Sequence, residues 1–203
     1  MKSYFPTIKK YLFDIVIVFL GVFMAFQLNR YQSDKASKKI ELGYYKIILI
    51  EFQNNLQEVK MAKTSLQNYL DNFTKTQEEG NTPELISMNK FMLDNNLFVI
   101  MSAFESGHLE NLNPLFVTNI SNGSNFITRV TRLIDQYNNK LNLALQNAEW
   151  DHKKFFDEKG QLKSTYSWYI NDLEFIANYL DQLELAFEKG AIPEITKIIE
   201  DKE

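Results

Sequence analysis

The strongest constraint on this chain is an apolar run close to its N-terminus. Residues 11–28 read YLFDIVIVFLGVFMAFQL, and no polar side chain lies between Ile15 and Phe26. A helix over these residues is about 27 Å long, close to the ~30 Å thickness of the hydrocarbon core of a bilayer. The run therefore predicts a transmembrane helix over residues 11–30, preceded by a short tail of residues 1–10.

A signal peptide and a soluble core helix fit the run less well. A cleaved signal peptide needs small residues before its cleavage site, but Ala25 lies between Met24 and Phe26. A buried core helix is usually shorter and carries polar residues along one face. A retained membrane helix is the preferred prediction.

Basic residues flank the run on both sides, where their side chains can reach the lipid headgroups. The candidates for headgroup contacts are Lys9, Lys10, Arg30, Lys35, Lys38 and Lys39. Together with Lys2, three basic residues precede the run and four follow it, so the positive-inside rule leaves the orientation open. We expect a single-pass protein of a bacterial inner membrane, with the bulk of the chain in the periplasm.

Five residues of the predicted transmembrane helix, residues 11–30, are candidates for contacts inside the membrane. The first is Asp14, because a carboxylate inside a span is costly and is therefore functional by default. The alternative is that Asp14, one turn from the interface, simply reaches water. Gly21 and Ala25 form the small-xxx-small pair of helix–helix contacts, and Gln27 and Asn29 can hydrogen-bond between copies of the helix.

Beyond the run, hydrophobic spacing predicts a helical domain over residues 31–203. Nine of ten positions at alternating spacings of three and four are apolar, which predicts a long first helix. These positions are Leu42, Tyr45, Leu49, Phe52, Leu56, Val59, Lys63, Leu66, Leu70 and Phe73. Ile47, Ile48 and Ile50 widen the stripe, which favours a bundle core over a free coiled coil. Gly80 should end this helix, and Thr82-Pro83 should start the next.

Residues 84–104 are apolar nearly all round, which predicts a second helix in the middle of the domain. A turn over residues 122–124 then precedes a third helix, predicted from about residue 126 to Lys159 and ended by Gly160. Its apolar positions are Phe126, Val130, Leu133, Tyr137, Leu141 and Leu145.

A last helix is predicted over residues 166–187, ended by Gly190 and Pro193, and the tail to Glu203 is expected to hold one or two further helical turns. Its apolar positions, at spacings of three and four, are Tyr166, Tyr169, Leu173, Ile176, Leu180, Leu183 and Phe187. We also expect Trp150 and Trp168 to pack in or near the core. The predicted fold is therefore all-α, with one N-terminal transmembrane helix continuing into an antiparallel bundle of about four long helices.

Composition excludes several classes of protein. The 203 residues carry a net charge of −4, which argues against a nucleic-acid binder. Residues 1–39 have a net charge of +5 and the remainder −9, the layout expected of an acidic domain behind a basic membrane collar. The chain contains no cysteine, which excludes disulfides, thiolate metal sites and a cysteine nucleophile.

The two histidines suggest one catalytic arrangement, a di-metal carboxylate site, because each follows a glutamate by three residues, His108 after Glu105 and His152 after Glu149. Such a site also needs inward glutamates on the two other helices of a bundle. The candidates fall off the predicted apolar stripes; they are Glu51, Glu58, Glu174 and Glu184. No nucleophile elbow or phosphate-binding glycine motif is present either. We therefore predict no catalytic residue, no metal site, no cofactor and no enzymatic activity.

The stretch of residues 14–29 resembles the N-terminal signature of an uncharacterised bacterial family of single-span membrane proteins. That signature is an acidic residue followed by Gly, Ala, Gln and Asn at the spacings found here, and residues 104–109 (FESGHL) are similar to a second stretch of the family. The chain departs from it at Arg30-Tyr31, usually Asn-Trp, and at Asp14, usually Glu. The resemblance implies a single-span helical membrane protein and no particular activity.

The span also resembles the proton-channel subunits of biopolymer-transport and flagellar-stator systems, through Asp14-Ile-Val-Ile-Val and Phe23-Met24. Those subunits have a mixed α/β periplasmic domain, whereas this chain predicts helices throughout.

Three functions follow as hypotheses. The first is a membrane-anchored helical interaction or scaffold module, with membrane lipid and either further copies of itself or other envelope membrane proteins as partners. The second is an ion-conducting or proton-coupled subunit that uses Asp14, in which Asp14→Asn should abolish function. The third is a bundle that senses a small ligand between its helices.

Overall fold

A computed structural model describes the backbone of residues 5–88 and 114–203. It describes the side chains of residues 18–88, 116, 118, 119, 122, 123 and 125–203. This part of the chain is helical and contains no β-strand, as the sequence predicts. It divides into two compact units, Met1–Tyr44 and Tyr45–Glu203.

The main helices are α1 (Phe5–Glu78), α2 (Pro114–Asn147), α3 (Trp168–Leu185) and α4 (Ile192–Lys202). A π-helical turn, Ala186–Ala191, joins α3 to α4. Two 3-10 turns, His152–Phe155 and Ser164–Tyr166, lie between α2 and α3.

Helix α1 ends at the predicted glycine. Gly80 has φ +74°, and its N–H donates to the Gln77 carbonyl over 3.0 Å while the Asn81 N–H donates to Thr76 over 2.9 Å. This pair of bonds is the Schellman motif, in which a left-handed residue satisfies the last carbonyls of a helix.

The second predicted helix does not begin at Glu84. Residues 81–88 are not helical, because side chains of α1, α2 and α3 hydrogen-bond to backbone groups of Glu84, Ile86 and Met88. The rest of that predicted helix lies outside the described residues.

The predicted turn over residues 122–124 is wrong, since α2 runs through it. One helical glycine costs only about 1 kcal/mol relative to alanine, and Phe116 and Ile127 on either side of it are buried. The predicted end at Gly160 is also wrong. The helix ends at Asn147 because Glu149 and Trp150 adopt positive φ, 56° and 62°, and the Trp150 N–H bonds back to Leu145 over 2.8 Å.

Gly190 and Pro193 do not end the last helix. The chain continues through the π-helical turn into α4, and Pro193 lies in the first turn of α4. Proline is tolerated there because its missing N–H would have no partner in the helix.

The prediction that neighbouring helices of the bundle are antiparallel is wrong for α1 and α2 within Tyr45–Glu203. Tyr45 packs on Phe116 near the start of α2, and farther along each helix Tyr69 and Tyr137 both contact Tyr169. These contacts mean that α1 and α2 run in the same direction. Helix α3 is antiparallel to both, since Tyr169 opens it at that same end.

The core lies between these helices. Helix α3 and the π-helical turn bury six of the seven residues that the spacing of the last helix predicts, namely Tyr169, Leu173, Ile176, Leu180, Leu183 and Phe187. The seventh, Tyr166, lies in a 3-10 turn and is half-buried. In α1 every second predicted position is buried, namely Tyr45, Phe52, Val59, Leu66 and Phe73. Ile48 and Asn55 fill the gaps between them, whereas Ile47 and Ile50 are exposed. Trp150, expected in or near the core, is 60% exposed.

Candidate functional site

The first candidate site is the apolar segment, residues 18–28 of α1. Every side chain in it is exposed on the isolated chain. Its eight large apolar side chains are between 47% and 72% exposed; they are Val18, Phe19, Leu20, Val22, Phe23, Met24, Phe26 and Leu28. A helix that is apolar on all faces is normally covered by protein or by lipid.

The candidates for helix–helix contact lie on this exposed surface. Gly21, Ala25, Gln27 and Asn29 are all exposed, and a Cβ added at Gly21 would meet no atom within 4 Å. Among the described residues, none therefore covers the small-residue face of Gly21 and Ala25. Asp14 is helical, but its side chain lies outside the described residues.

The headgroup candidates that can be placed follow the apolar segment along α1. Arg30, Lys35, Lys38 and Lys39 are exposed. The side chains of Lys9 and Lys10 lie outside the described part of the chain.

Within the described residues, no helix is both long enough and apolar enough to cross a membrane. The side chains of residues 11–17, the first part of the predicted span, lie outside the described residues.

The second candidate site is a cluster of four polar side chains that we name the tyrosine clamp. Its members are Tyr69, Tyr137, Asn138 and Tyr169. They hold the backbone of residues 83–88, which we name the strap. At its centre the Tyr137 hydroxyl donates to the Ile86 carbonyl over 2.6 Å, and the Ile86 N–H donates to the Tyr169 hydroxyl oxygen over 2.8 Å.

The two ends of the strap are held in the same way. The Tyr69 hydroxyl donates to the Glu84 carbonyl over 2.6 Å and also lies 2.6 Å from the Tyr169 hydroxyl. At Met88, the N–H donates to Asn138 Oδ1 over 2.8 Å, and Asn138 Nδ2 donates to the carbonyl over 2.6 Å. Asn138 thus forms the two-bond pairing that a neighbouring β-strand would provide.

Aromatic packing fixes the clamp side chains. The Tyr169 ring lies 5.8 Å from the rings of both Phe73 and Tyr137, and the Tyr69 ring lies 5.9 Å from that of Phe73. Ring separations of this size are typical of favourable aromatic pairs. The hydroxyls therefore hold their positions because the rings behind them are packed.

Burial raises the pKa of all three clamp tyrosines, Tyr69, Tyr137 and Tyr169. A phenolate loses its hydration when it is buried, so the neutral form is favoured. The three hydroxyls consequently remain hydrogen-bond donors throughout the physiological range of pH.

Beside the clamp, a groove of about 250 Å³ opens between α2 and α3. Its lining residues are Leu133, Gln136, Tyr137, Lys140, Asp172, Phe175 and Ile176. Lys140 Nζ lies 2.9 Å from Asp172 Oδ2 and 4.3 Å from the centre of the Trp168 ring. The two charges in the groove already pair with each other, so the groove offers a ligand mainly its apolar walls.

Among the described residues, no group of three or more His, Cys, Asp or Glu side chains comes close enough together to hold a metal ion. Glu149 instead pairs with Lys154, 2.8 Å away, and Glu184 with Lys63, 2.9 Å away. Glu105 and His108 lie outside the described residues.

The apolar spacing places Tyr137 and Tyr169 on buried stripes, but it does not predict that they form a site with Tyr69 and Asn138. One signal was present in the sequence, since Tyr137 and Tyr169 occupy core positions that leucine could also fill. A buried tyrosine usually needs a hydrogen-bond partner for its hydroxyl, so these two residues indicate a buried polar contact. What the sequence could not supply was the identity of the partner, the backbone of a non-helical segment.

In comparisons with known proteins, the chain matches no family model, no curated protein and no solved structure.

Proposed function

We propose that this protein is a membrane-anchored helical interaction or scaffold module, a self-associating or accessory component of a bacterial envelope complex. The observation that carries the proposal is the apolar segment of α1, which is helical, exposed and apolar on every face. The resemblance of residues 14–29 to a family of single-span membrane proteins points the same way.

Lipid is the covering that suits the apolar segment best. A soluble monomer rarely exposes a contiguous apolar patch larger than a few hundred Å², and a partner protein normally covers one face of a helix. The sequence before the segment is also apolar, from Ile15 onward. With residues 11–17 included, a helix of about 27 Å would nearly match the thickness of the hydrocarbon core.

Charge supports the same arrangement. Arg30, Lys35, Lys38 and Lys39 are exposed on α1 just beyond the apolar segment, where anionic headgroups would attract them. Residues 40–203 carry the net negative charge and would be repelled from the same surface.

The interaction part of the proposal rests on Gly21 and Ala25. Both are exposed and lie four residues apart on one face of α1, and none of the residues that the structure describes comes within 4 Å of a Cβ added at Gly21. In lipid, close contact between helices needs small residues of this kind, because the hydrophobic effect does not drive the association.

Membrane anchorage is tested by alkaline carbonate extraction of bacterial membranes that contain the full chain. We expect the wild type to remain in the membrane pellet and the variant Val22→Arg/Phe26→Arg to be released. The matched control, Ile47→Arg/Ile50→Arg, also places two arginines at exposed positions of α1 and should remain in the pellet. Release of the wild type, or equal behaviour of the two variants, would contradict the anchorage.

Association is tested by native mass spectrometry of the complex extracted into nanodiscs at native expression level. We expect either a homo-oligomer or a stoichiometric complex with another envelope protein. Gly21→Leu should weaken this association, while Gly43→Leu, at a position equally free of close contacts, should leave it intact. A monomer accompanied only by lipid would contradict the interaction role.

A further inference from the structure

We propose that the tyrosine clamp is a binding site for an extended polypeptide segment of a protein partner, and that the strap occupies it as an internal ligand. The clamp shares no residue with the apolar segment that carries the proposed membrane function, so either proposal can fail alone.

The clamp recognises backbone and not side chains. Its bonds go to the carbonyl of Glu84, to both backbone groups of Ile86 and to both backbone groups of Met88. Every second residue is therefore bound, which is the pattern of an extended chain with alternate residues facing one side. Proteins that bind peptides by adding a strand to a sheet recognise them in the same way.

The side chains of the strap add little to this hold. Pro83 is buried, but Glu84 and Ser87 are exposed and the three apolar side chains among them are only half-buried. Another segment could satisfy the clamp if it began with proline or a small apolar residue, as the strap does at Pro83. It would also need a backbone N–H at the positions that correspond to Ile86 and Met88. This defines the class of ligand as a proline-led extended peptide.

Release of the strap does not require unfolding of α1. The chain just before it is fixed, because the Asn81 N–H bonds to Thr76 over 2.9 Å and closes the end of the helix. Segments with few buried contacts open at a lower free energy than the core around them. An open clamp would leave the Tyr137 hydroxyl and the Asn138 amide without their backbone partners, and Tyr69 and Tyr169 with only each other, which favours capture of another extended chain.

The direct test uses the full chain in nanodiscs with the strap disabled by Ile86→Pro/Met88→Pro, which removes both N–H groups that the clamp binds. The probe is a fluorescent peptide of residues 81–88. We expect the peptide to bind this variant. Its affinity for the wild type should be at least about tenfold lower, because the wild type's own strap competes with the peptide.

Two methylated peptides supply the matched control. N-methylation at Ile86 removes the N–H that bonds to Tyr169 and should weaken binding about tenfold. N-methylation at Ser87, a residue that faces away from the clamp in an alternating segment, should have little effect. No binding of the unmodified peptide to a folded variant, or equal binding of the two methylated peptides, would overturn the proposal.

Hydrogen exchange of the wild type tests the same idea without a substitution. We expect the amides of Ile86 and Met88 to exchange at least about a hundredfold faster than that of the buried Ile176, because the strap opens locally. Equal protection at these three positions would mean that the strap leaves the clamp only when the whole domain unfolds, which would also overturn the proposal.

Discussion

Replacing Tyr169 by phenylalanine isolates the contribution of the clamp to stability. The ring of Tyr169 is fully buried and packs against Phe73 and Tyr137, and phenylalanine retains these contacts. Only the hydroxyl is lost, together with its bonds to the Ile86 N–H and to Tyr69. A change in stability can therefore be assigned to the polar contacts.

The expected magnitude follows from the number of bonds. A neutral hydrogen bond contributes about 1 kcal/mol net, and a partly buried donor left without a partner costs about 1–3 kcal/mol. With two bonds removed and the Ile86 N–H left unpaired, we expect Tyr169→Phe to lower the free energy of unfolding by about 2–3 kcal/mol. For a chain of this size that corresponds to a fall in Tm of about 5–10 °C.

The assay is thermal and urea unfolding of the full chain in detergent, followed by far-UV circular dichroism. Tyr179→Phe is the matched control, because Tyr179 is also on α3 and packs against Phe126 and Phe175 but takes no part in the clamp. We expect the control to change the free energy of unfolding by less than about 0.5 kcal/mol. Equal midpoints for the two variants would refute the reasoning.

Three further predictions concern pH, packing and backbone conformation. Below pH ~10 each clamp tyrosine is neutral in both the folded and the unfolded chain, so the full stability of the fold is present. Above this pH the unfolded chain releases the proton, whereas the raised pKa keeps it on the folded chain. The free energy of unfolding therefore falls by about 1.4 kcal/mol per pH unit for each clamp tyrosine. Of the ten tyrosines, the three of the clamp should give tyrosinate absorbance only at a pH well above that of the exposed tyrosines; titration of all ten in one step would contradict this. Phe73→Ala removes a buried ring and should lower the free energy of unfolding, measured in urea, by about 3–5 kcal/mol. The control Phe175→Ala, at an exposed ring, should lower it by less than about 1 kcal/mol. Gly160→Ala should lower the Tm, because φ at Gly160 is +75° and the new Cβ would lie 2.8 Å from a backbone carbonyl oxygen. The control Gly190→Ala should leave the Tm unchanged. Similar effects of the two substitutions would count against the backbone argument.

Features that depend on neighbouring residues were predicted well from the sequence. The end of α1 follows from Gly80, because glycine takes the left-handed conformation at little cost. The buried face of α3 follows from spacings of three and four, because a helix brings those residues to one side. The apolar run over residues 11–28 is equally local, and membrane anchorage remains a prediction from it.

Predictions failed where contacts with distant residues overrode a local preference. The glycine of residues 122–124 did not break α2, since packing outweighs its weak helical propensity. The end of α2 was misplaced because Glu149 and Trp150 adopt positive φ without being glycine. Such a conformation costs only about 1–2 kcal/mol per residue, which surrounding contacts can offset, so the sequence carries no signal for it.

Local sequence was enough to establish that the chain is helical, where its first helix stops and which face of α3 is buried, since each depends on residues a few positions apart. Packing between distant segments set the common direction of α1 and α2 and the extended form of the strap. The clamp bonds join residues separated by 15, 51 and 83 positions. Their geometry exists only after three helices have packed, because side-chain hydroxyls can replace helical backbone bonds only when the rings that carry them are already fixed in the core.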